Sequence, residues 1–404
     1  MGGMKPFTEL VSFEKALSVV MSNVQPIFKT EIASLGELDG RVISEDVVSS
    51  INIPSFNRAA MDGYAVIASD TYGASESEPR TLNLTAELHA GDLARKELQR
   101  GECVQVATGS MLPPRADAVV MVEFTERTEG GVEIRRPIHP GGHVSKKGED
   151  IRRGDTVLKN GDLITPAKAG VLAALGINRV SVYQKPSIAV IPTGDEVVEV
   201  GSERKEGQVY DINSHTIAAV VSENGGYPVV WKPVPDLEEV LMKTASATLG
   251  HDMLVFSGGS SVGSRDMMSQ IFSRLGRVLF HGVQIKPGKP TLFAIMKGKP
   301  AFSMPGYPSS CLINSYLFLT PAVRKMARLP PRRDVRVKAR LSKRLAFTLG
   351  RKQFLPVQLK QDVAIPVFKE SGAITSMSFA DGYIVIPPNV ESLPKDQEVE
   401  VTLF

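Results

Sequence analysis

Cysteine is scarce in this sequence, with Cys103 and Cys311 the only two among 404 residues. Two thiols cannot build a disulfide framework or a Cys-x-x-Cys metal site, so we expect a reducing compartment. No apolar run reaches the roughly 18 residues that a membrane-spanning helix needs. Charged residues such as Lys5 and Glu9 also interrupt the stretch where a secretory signal would have its apolar segment. We therefore predict a cytoplasmic protein with no membrane partner.

An excess of charge of one sign is also missing. The 47 basic and 44 acidic residues leave a net charge of +3, which gives no strong overall field for nucleic acid. Basic residues do outnumber acidic ones in segment 324–360. There, however, Arg336, Lys338 and Arg340 alternate with less polar residues, as on the solvated face of a strand. A solvated face explains this segment better than a nucleic-acid footprint, so we expect no nucleic-acid partner.

Glycine and proline are plentiful, at 35 and 27 residues, which indicates many tight turns. Ser12 is a plausible cap of a first helix, whose apolar residues recur at helical spacing. Strand-like segments separated by turns then predict a small β domain over 46–142. We assign 1–45 and 143–183 together to a discontinuous N-terminal or linker domain. Within it, Pro166 opens a short helix that Gly176 closes.

Strands and helices alternate over 184–329, which predicts βαβ crossovers and a mostly parallel sheet. Asn213 is the expected cap of the first of these helices, and a long closing helix is expected from Pro308 to Met326. After the linker signal Pro330-Pro331, strand-like segments predict a C-terminal β-barrel-like domain over 330–404. The predicted fold class is α/β plus β multidomain: a central three-layer α/β domain with a mostly parallel sheet, flanked by small β domains.

A glycine-rich segment, 257–263, follows a predicted strand and precedes a helix. Ligands of open α/β sheets bind at such positions, and glycines let backbone N–H groups approach an anion. A merely tight turn is the alternative interpretation. The candidate phosphate-binding residues are Ser257, Gly258, Gly259, Ser260, Ser261 and Gly263. The same segment spells G-x-S-x-G, but the one histidine after Ser261 is His281, and the one acid between them, Asp266, lies on the adjacent predicted helix, so a serine hydrolase is disfavoured.

Two lysines, Lys286 and Lys289, flank a proline-bounded turn between two predicted strands. An ammonium group is a compact point charge suited to oxyanions, so the turn is either an oxyanion site or a solvated hairpin.

Carboxylates also follow the predicted strands, at Asp195-Glu196, Asp236 and Asp266. Oxygen ligands gathered above a parallel sheet could hold Mg²⁺ with substrate phosphates. Asp236 and Asp266 could equally be helix caps.

Seven short motifs occur in one order along nearly the whole chain. They are Pro54–Ala65, Thr108-Gly109, Gly148-Glu149-Asp150, Pro192–Glu196, Ser257–Asp266, Lys286–Pro290 and Met304–Pro308. Each motif is weak alone, but their joint order is specific. The sequence resembles the molybdopterin molybdenumtransferase family, whose relatives include the E domain of gephyrin.

This resemblance implies an activity and an assembly. The family takes adenylylated molybdopterin and molybdate, cleaves the adenylate with the help of Mg²⁺, and places the metal on the dithiolene as AMP leaves. It also implies four domains and a homodimer whose active site lies between the subunits, with the α/β domain from one and the β domain bearing Asp62 and Thr108 from the other. The upstream molybdopterin adenylyltransferase is a possible partner.

The resemblance also assigns site residues. The catalytic positions are Asp62, Thr108, Asp150, Glu196, Asp236 and Asp266, of which Glu196 and Asp266 are the expected Mg²⁺ ligands. The lysine turn supplies Lys286 and Lys289 for substrate binding. The molybdate pocket is implied at Pro290, Ser310, Arg351 and Ser371.

Three positions depart from the family pattern. Tyr307 stands where the family commonly has Asn, Asp381 stands in a late Ala-Asn-Gly pattern, and a lysine of some members is replaced near His281. Tungstate in place of molybdate is one alternative. A non-catalytic scaffold or cofactor-binding protein on the same fold is the other, although this chain keeps the acids that a scaffold could lose.

Overall fold

The computed structural model describes residues 10–258, 267–367 and 373–404, and these form two compact units. The first, here called the sheet-and-barrel unit, contains the described chain up to Glu31, then Gly40–Val42 and Val182–Phe404. The second, here called the inserted unit, contains Ile32–Asp39 and Ile43–Ser181. No helix in the described part of the chain is long and apolar enough to cross a membrane.

The helices begin where the sequence offers caps. The Ser12 hydroxyl accepts the Lys15 backbone N–H at 3.2 Å, as predicted, and Thr165 plays the same part before Pro166. Gly176, with φ +71°, follows the second helix as expected. The α-helices of the described chain are α1 (Phe13–Asn23), α2 (Pro166–Ala174), α3 (Asn213–Glu223), α4 (Glu238–Ala247), α5 (Met267–Leu275), α6 (Pro308–Asn314), α7 (Thr320–Met326) and α8 (Thr375–Ser378).

The inserted unit is built on a six-stranded sheet. The first twelve strands are β1 (Thr30–Ser34), β2 (Val47–Val48), β3 (Arg58–Ala59), β4 (Gly63–Val66), β5 (Arg80–Leu88), β6 (Glu102–Val106), β7 (Ala118–Met121), β8 (Thr125–Thr128), β9 (Gly131–Ile134), β10 (Val144–Ser145), β11 (Thr156–Leu158) and β12 (Arg179–Tyr183). The sheet order is β7-β4-β6-β5-β9-β8, in which β5 and β6 run parallel. Small apolar clusters cover both of its faces.

The remaining strands belong to the sheet-and-barrel unit. They are β13 (Ser187–Pro192), β14 (Val197–Val198), β15 (Val209–Tyr210), β16 (Tyr227–Val230), β17 (Met253–Ser257), β18 (Gly276–His281), β19 (Ile285–Lys286), β20 (Leu292–Met296), β21 (Lys299–Met304), β22 (Arg336–Leu341), β23 (Leu345–Ala346), β24 (Lys352–Lys360), β25 (Val363–Pro366), β26 (Gly382–Ile386), β27 (Ser392–Leu393) and β28 (Glu398–Leu403).

The sheet of this unit has the order β16-β13-β17-β21-β20-β18. The three pairings among its first four strands are parallel, and the pairings of β20 with β21 and with β18 are antiparallel, which confirms the mostly parallel sheet. One apolar cluster joins one face to α1, α3, α6 and α7, and a second joins the other face to α4 and α5. Helices therefore cover both faces, which gives the predicted three layers.

The C-terminal strands close into a barrel. β24 pairs with β25, β25 with β22, β22 with β28, β28 with β26, and β26 with β24 again. A ring of five strands has no free edge, which confirms the barrel-like character expected from the sequence. β19 adds to this barrel in parallel with β24, so the strand before the lysine turn is hydrogen-bonded to it.

Two local features differ from the prediction. Asn213 does not cap α3, because the Asp211 carboxylate accepts the backbone N–H of Ser214 at 3.0 Å and also its hydroxyl. The Asn213 side chain instead donates to the carbonyl of Gly306 at 2.8 Å. The long closing helix predicted after Pro308 is present, but Ser315–Leu319 forms a π-helical segment between α6 and α7.

Within each unit, the residue at which the chain leaves and the residue at which it returns are close together. In the inserted unit, Ser44 and Ser181 are joined by a backbone hydrogen bond of 3.1 Å and by their hydroxyls at 2.6 Å. In the sheet-and-barrel unit, Tyr183 donates its backbone N–H to Val42 at 2.9 Å.

Candidate functional site

The carboxyl ends of three parallel strands meet at one edge of the sheet. Ser257, the last residue of β17, lies in register with Pro192 of β13 and Met304 of β21. Beyond the strands, Thr193 donates its N–H to the Ser257 carbonyl at 2.8 Å, and Gly258 donates to Met304 at 3.3 Å. This is the edge at which open α/β sheets bind ligands, and we call it the sheet-edge crevice.

Glycine is required where the backbones meet in the crevice. Gly258 has φ +107°, and a Cβ there would collide with the carbonyl oxygen of Thr193. At Gly306, a Cβ would have just the Cα of Gly258 within 4 Å among the described residues, at 3.6 Å. The two glycines therefore make a floor without side chains. The rest of the predicted loop, Gly259, Ser260, Ser261, Gly263 and Asp266, lies outside the described residues.

Three carboxylates gather beside this floor. Gly194, at φ +141°, lies against the Glu196 carboxylate, to which a Cβ there would approach within 2.8 Å. Asp195 accepts the backbone N–H of Asp236 at 3.0 Å. Burial raises the pKa of Asp236, and the neighbouring Asp195 and Glu196 carboxylates raise it further. No side-chain hydrogen bond caps α4, so the alternative interpretation of Asp236 as a helix cap is wrong.

Metal binding at these carboxylates stays a prediction. In residues 10–258, 267–367 and 373–404, no three His, Cys, Asp or Glu side chains are arranged to hold a metal ion. One of the two expected Mg²⁺ ligands, Glu196, lies in the crevice, whereas the other, Asp266, is outside the described chain.

The lysine turn is anchored on α6. Gly288, with φ +105°, packs so closely on the Asn314 side chain that a Cβ would collide with it. Asn314 in turn donates to the Ser310 carbonyl at 2.7 Å, and its Oδ1 accepts from Thr291 at 3.0 Å. The turn is therefore not a free hairpin: Lys286 is exposed, but Lys289 and Pro290 are half-buried.

Arg351 lies beside this turn. In the parallel β19–β24 pair, Lys286 is opposite Gln353, and Lys352 donates its N–H to Gln284 at 3.1 Å. Arg351 directly precedes Lys352 and is half-buried. The structure thus brings the lysine turn, Ser310 and Arg351 into one neighbourhood, while Ser371 lies outside the described residues.

The remaining predicted residues lie in the inserted unit. The Asp62 carboxylate accepts both the backbone N–H of Thr108 at 2.6 Å and its hydroxyl at 2.8 Å. These two bonds, the backbone one first, lower the pKa of Asp62 and keep the exposed carboxylate ionised. A cleft of about 260 Å³ next to Asp62 is lined also by Tyr64, Glu87 and Gln105.

Three of the sequence motifs, Pro54–Ala65, Thr108-Gly109 and Gly148–Asp150, are joined by backbone hydrogen bonds around the same loop. Gly109 donates its N–H to Ala59 at 2.8 Å, and Ala60 donates to His143 at 2.9 Å. Asp150 is exposed and donates its N–H to Ile53 at 3.1 Å. The inserted unit therefore holds Asp62, Thr108 and Asp150, whereas the other predicted site residues belong to the sheet-and-barrel unit.

The sequence did not reveal several polar groups of the crevice. Thr193 lies within a quoted motif but carried no predicted role, and Asn213 was expected to be a cap. Both side chains are buried, and Asn213 Oδ1 has no hydrogen-bond partner in the part of the chain that the structure describes. The Thr193 hydroxyl lies close enough to the Asp236 carboxylate to lower its pKa, which partly offsets the effect of burial. Nothing in a single sequence distinguishes such a group from a cap or a turn residue, because its burial depends on tertiary packing.

These features describe a multidomain α/β protein with a carboxylate-lined sheet edge, a lysine turn and a separate β unit. Comparison with known proteins identifies the same multidomain organisation. The sequence models of the MoeA N-terminal region (domain I and II), a probable molybdopterin binding domain and the MoeA C-terminal region (domain IV) match residues 11–176, 189–325 and 338–404. The chain belongs to the MoeA family.

Individual relatives span almost the same length. A putative molybdopterin biosynthesis protein of Methanocaldococcus jannaschii is 37% identical, with 98% of this chain and 96% of the relative covered. The molybdopterin molybdenumtransferase of Haemophilus influenzae is 33% identical, with 78% of each chain covered. The crystal structure of a molybdopterin biosynthesis MoeA protein from Pyrococcus horikosii superposes with a TM-score of 0.84 at 41% identity, covering 98% of this chain and 99% of that one.

Proposed function

We propose that this protein is a molybdopterin molybdenumtransferase: it uses molybdate and adenylylated molybdopterin, releases AMP and yields the molybdenum cofactor. The observation that carries the proposal is the placement of cationic and anionic groups along one short path. The lysine turn is fixed on Asn314 of α6, which also bonds the Ser310 carbonyl, and the start of α6 is joined through Tyr307 to Gly306 of the crevice. The names of the curated relatives support the same activity.

The cations suit the oxyanion. Molybdate is a tetrahedral dianion, and ammonium and guanidinium groups bind such ions through charge-assisted hydrogen bonds. Lys286 and Lys289 project from a turn that α6 holds in place, and Arg351 approaches from the barrel side. Ser310 is buried in α6, where its carbonyl accepts from the Asn314 side chain that packs on Gly288 of the turn. The four residues would together position one oxyanion. Tungstate has the same shape and charge and is included in the proposal.

The carboxylates suit Mg²⁺. Asp236 Oδ1 is buried with no hydrogen-bond partner in the described chain, and Asp195 and Glu196 lie close enough to raise the pKa of Asp236. Oxygen donors of this kind match the preference of Mg²⁺. Glu196 would hold the ion together with Asp266. A bound Mg²⁺ would neutralise charge on the phosphate that leaves with AMP.

Asp62, Thr108 and Asp150 have a separate place in the proposal. We propose that the protein works as a homodimer in the cytoplasm, in which these residues complete the site of the partner subunit. Asp62 is held ionised at the surface of the inserted unit, which suits a group that acts outside its own unit. The adenylylated substrate would come from a molybdopterin adenylyltransferase.

The test is the release of AMP. Purified protein is incubated with adenylylated molybdopterin, molybdate and Mg²⁺, and AMP is quantified by chromatography. We expect release that depends on molybdate and fails when Glu196→Gln replaces the wild type. Binding of adenylylated molybdopterin without any release of AMP would favour the scaffold alternative instead.

A further inference from the structure

A buried pair of neutral polar residues lies in contact with the lysine turn. Thr291 directly precedes β20, and Asn314 is the last residue of α6. Both residues are 0% exposed. A buried hydroxyl or amide costs free energy unless it is hydrogen-bonded, whereas an apolar side chain at the same place would not. What these two side chains hold is therefore informative.

The Thr291 hydroxyl closes the lysine turn. Its Oγ1 lies 2.8 Å from the carbonyl oxygen of Gly288, the glycine between the two lysines, and the Thr291 backbone N–H donates to the same oxygen at 3.3 Å. On the other side of the turn, Val283 donates its N–H to the Lys289 carbonyl at 2.9 Å, and Gly282 donates to the Thr291 carbonyl at 3.0 Å. The backbone on both sides of Lys289 is thus held by hydrogen bonds.

Asn314 connects this turn to Ser310. Its Nδ2 donates to the Ser310 carbonyl at 2.7 Å, and its Oδ1 lies 3.0 Å from the Thr291 hydroxyl oxygen. Gly288 packs on the same amide, which leaves no room for a Cβ at that glycine. One amide therefore contacts the lysine turn and bonds to Ser310 at the same time.

The Thr291 hydroxyl joins the two sides. A hydroxyl carries one proton, and here the Gly288 carbonyl and Asn314 Oδ1 both lie within reach of it. The reverse orientation of the amide would place Oδ1 against the Ser310 carbonyl, with one acceptor facing another, so the orientation is fixed. The hydroxyl shares its proton between the turn and the helix, and its removal would loosen both contacts.

We infer that Thr291 and Asn314 are positioning residues for the oxyanion, which fix Lys286 and Lys289 relative to Ser310. The inference rests on the proposed function, which supplies molybdate as a substrate. Neither residue has exposed surface, so each acts through the groups that it holds. Donors that are already in place bind an oxyanion more tightly than donors that must be ordered on binding, because ordering costs free energy.

The test removes one hydroxyl and keeps the volume of the side chain. Thr291→Val lacks the hydroxyl, whereas Thr291→Ser keeps it. Thr248→Val is the matched control, because Thr248 is also 0% exposed and its hydroxyl lies 3.0 Å from each of the carbonyl oxygens of Thr244 and Ala245. Thr248 lies between α4 and β17, outside both the lysine turn and α6.

Three measurements separate positioning from folding. Equilibrium dialysis gives the affinity for molybdate, AMP release at varied molybdate gives KM and kcat, and calorimetry gives the melting temperature. We expect Thr291→Val to bind molybdate about tenfold more weakly, as the loss of one buried hydrogen bond implies, and to raise KM by the same factor. Its kcat at saturating molybdate should stay at the wild-type level. Thr291→Ser should behave like the wild type, and Thr248→Val should melt as low as Thr291→Val but bind molybdate normally.

The opposite results are distinct. Wild-type molybdate affinity in a folded Thr291→Val would overturn the inference. Equal weakening in Thr248→Val would also overturn it, since a general loss of stability would then explain both variants. If Thr291→Val does not fold, Asn314→Ala removes the bond to Ser310 and must weaken molybdate binding instead.

The wild type distinguishes this inference from the proposed function. A wild type that binds molybdate but releases no AMP would reject the proposed function, while the comparison of affinities would still decide the inference. A wild type that binds no molybdate would reject the inference, whatever its release of AMP.

Discussion

Asp62 is an exposed residue whose negative charge is stabilised by its own fold. Its carboxylate is held by two hydrogen bonds from Thr108, which lies 46 residues further along the chain. Because both bonds favour the charged form, the pKa of Asp62 is lowered and its negative charge persists to a lower pH than that of an ordinary aspartate. The stabilising effect of this arrangement is present above the unfolded pKa and is lost as the pH falls through the folded one.

The pKa of Asp236 is shifted in the opposite direction from that of Asp62, and this predicts how stability depends on pH. Its pKa is raised by burial and by two neighbouring carboxylates, so its stabilising contribution is lost as the pH rises through the folded pKa. Asp236→Asn should therefore raise the melting temperature at pH 7 while AMP release falls. Below the unfolded pKa both proteins are neutral at this position, and the gain in melting temperature should disappear. Calorimetry at both pH values checks this, and an equal gain at each pH would contradict it.

Lys286 is predicted to act on the substrate rather than on folding. The side chain is exposed, so Lys286→Ala should change the free energy of unfolding by no more than about 0.5 kcal/mol. Loss of a charge-assisted hydrogen bond to molybdate should cost about 1.5–3 kcal/mol, which is roughly ten- to a hundred-fold in the molybdate concentration required. Titration of AMP release with molybdate measures this, with the exposed Lys343→Ala as control. Equal molybdate requirements in both variants would exclude the assigned role.

Among the elements, α6 begins without a side-chain hydrogen bond to its first turn. Tyr307 occupies the cap position, makes no side-chain hydrogen bond to the helix, and is 65% exposed. Asn at this position accepts an N–H of the first turn, so Tyr307→Asn should stabilise the protein by about 0.5–2 kcal/mol. Chemical denaturation measures the change, and Tyr307→Ala, which supplies no cap, should show no such gain. If both variants are equally stable, the capping argument fails.

The sequence predicted elements best where the signal is local. Ser12 and Gly176 mark the limits of helices because capping depends on a few neighbouring residues. The prediction for Asn213 was wrong because Asp211, two residues earlier, offered the helix a carboxylate. The π-helical segment within the closing helix left no recognisable signal, since nothing in the residue pattern of 308–326 marks an extra residue per turn.

The same limit applies to the site. Resemblance assigned Asp62 and Thr108 to the site, whereas periodicity alone gave neither residue a role, and the direct contact between them was not predicted. The anchoring of the lysine turn on Asn314 depends on a close approach at Gly288 between distant segments. Likewise, the unpaired oxygens of the crevice become visible after the chain has been packed and each acceptor has been matched with its donors.

For the whole molecule, the homodimer model predicts recovery of activity between two inactive variants. Asp62→Asn and Glu196→Gln remove charge from the inserted unit and from the sheet-and-barrel unit, respectively. If each active site takes Asp62 from one subunit and Glu196 from the other, an equal mixture with free subunit exchange should regain about a quarter of wild-type AMP release, because half of the symmetric dimers are mixed and each has one intact site.

Two measurements accompany the mixing experiment. Native mass spectrometry of differently labelled variants must show that subunits exchange, and light scattering must show a dimer of the 43.7 kDa chain. No recovery despite demonstrated exchange would place both carboxylates in the site of one subunit. A fully active monomer would reject the shared site altogether.

The longer part of the inserted unit, 43–181, begins and ends at neighbouring points of the structure. Ser44 contacts Ser181, and Val42 contacts Tyr183, so this segment could be excised as one piece. Its two ends are neighbours, so a short turn could join Val42 to Tyr183 after excision and leave the host strands where they were. The same closeness would let the excised piece be grafted into a surface loop of an unrelated protein with little stretching of the chain. Insertion of a ready-made segment between two adjacent points is also a simple route by which a single ancestral gene could have acquired a second folding unit.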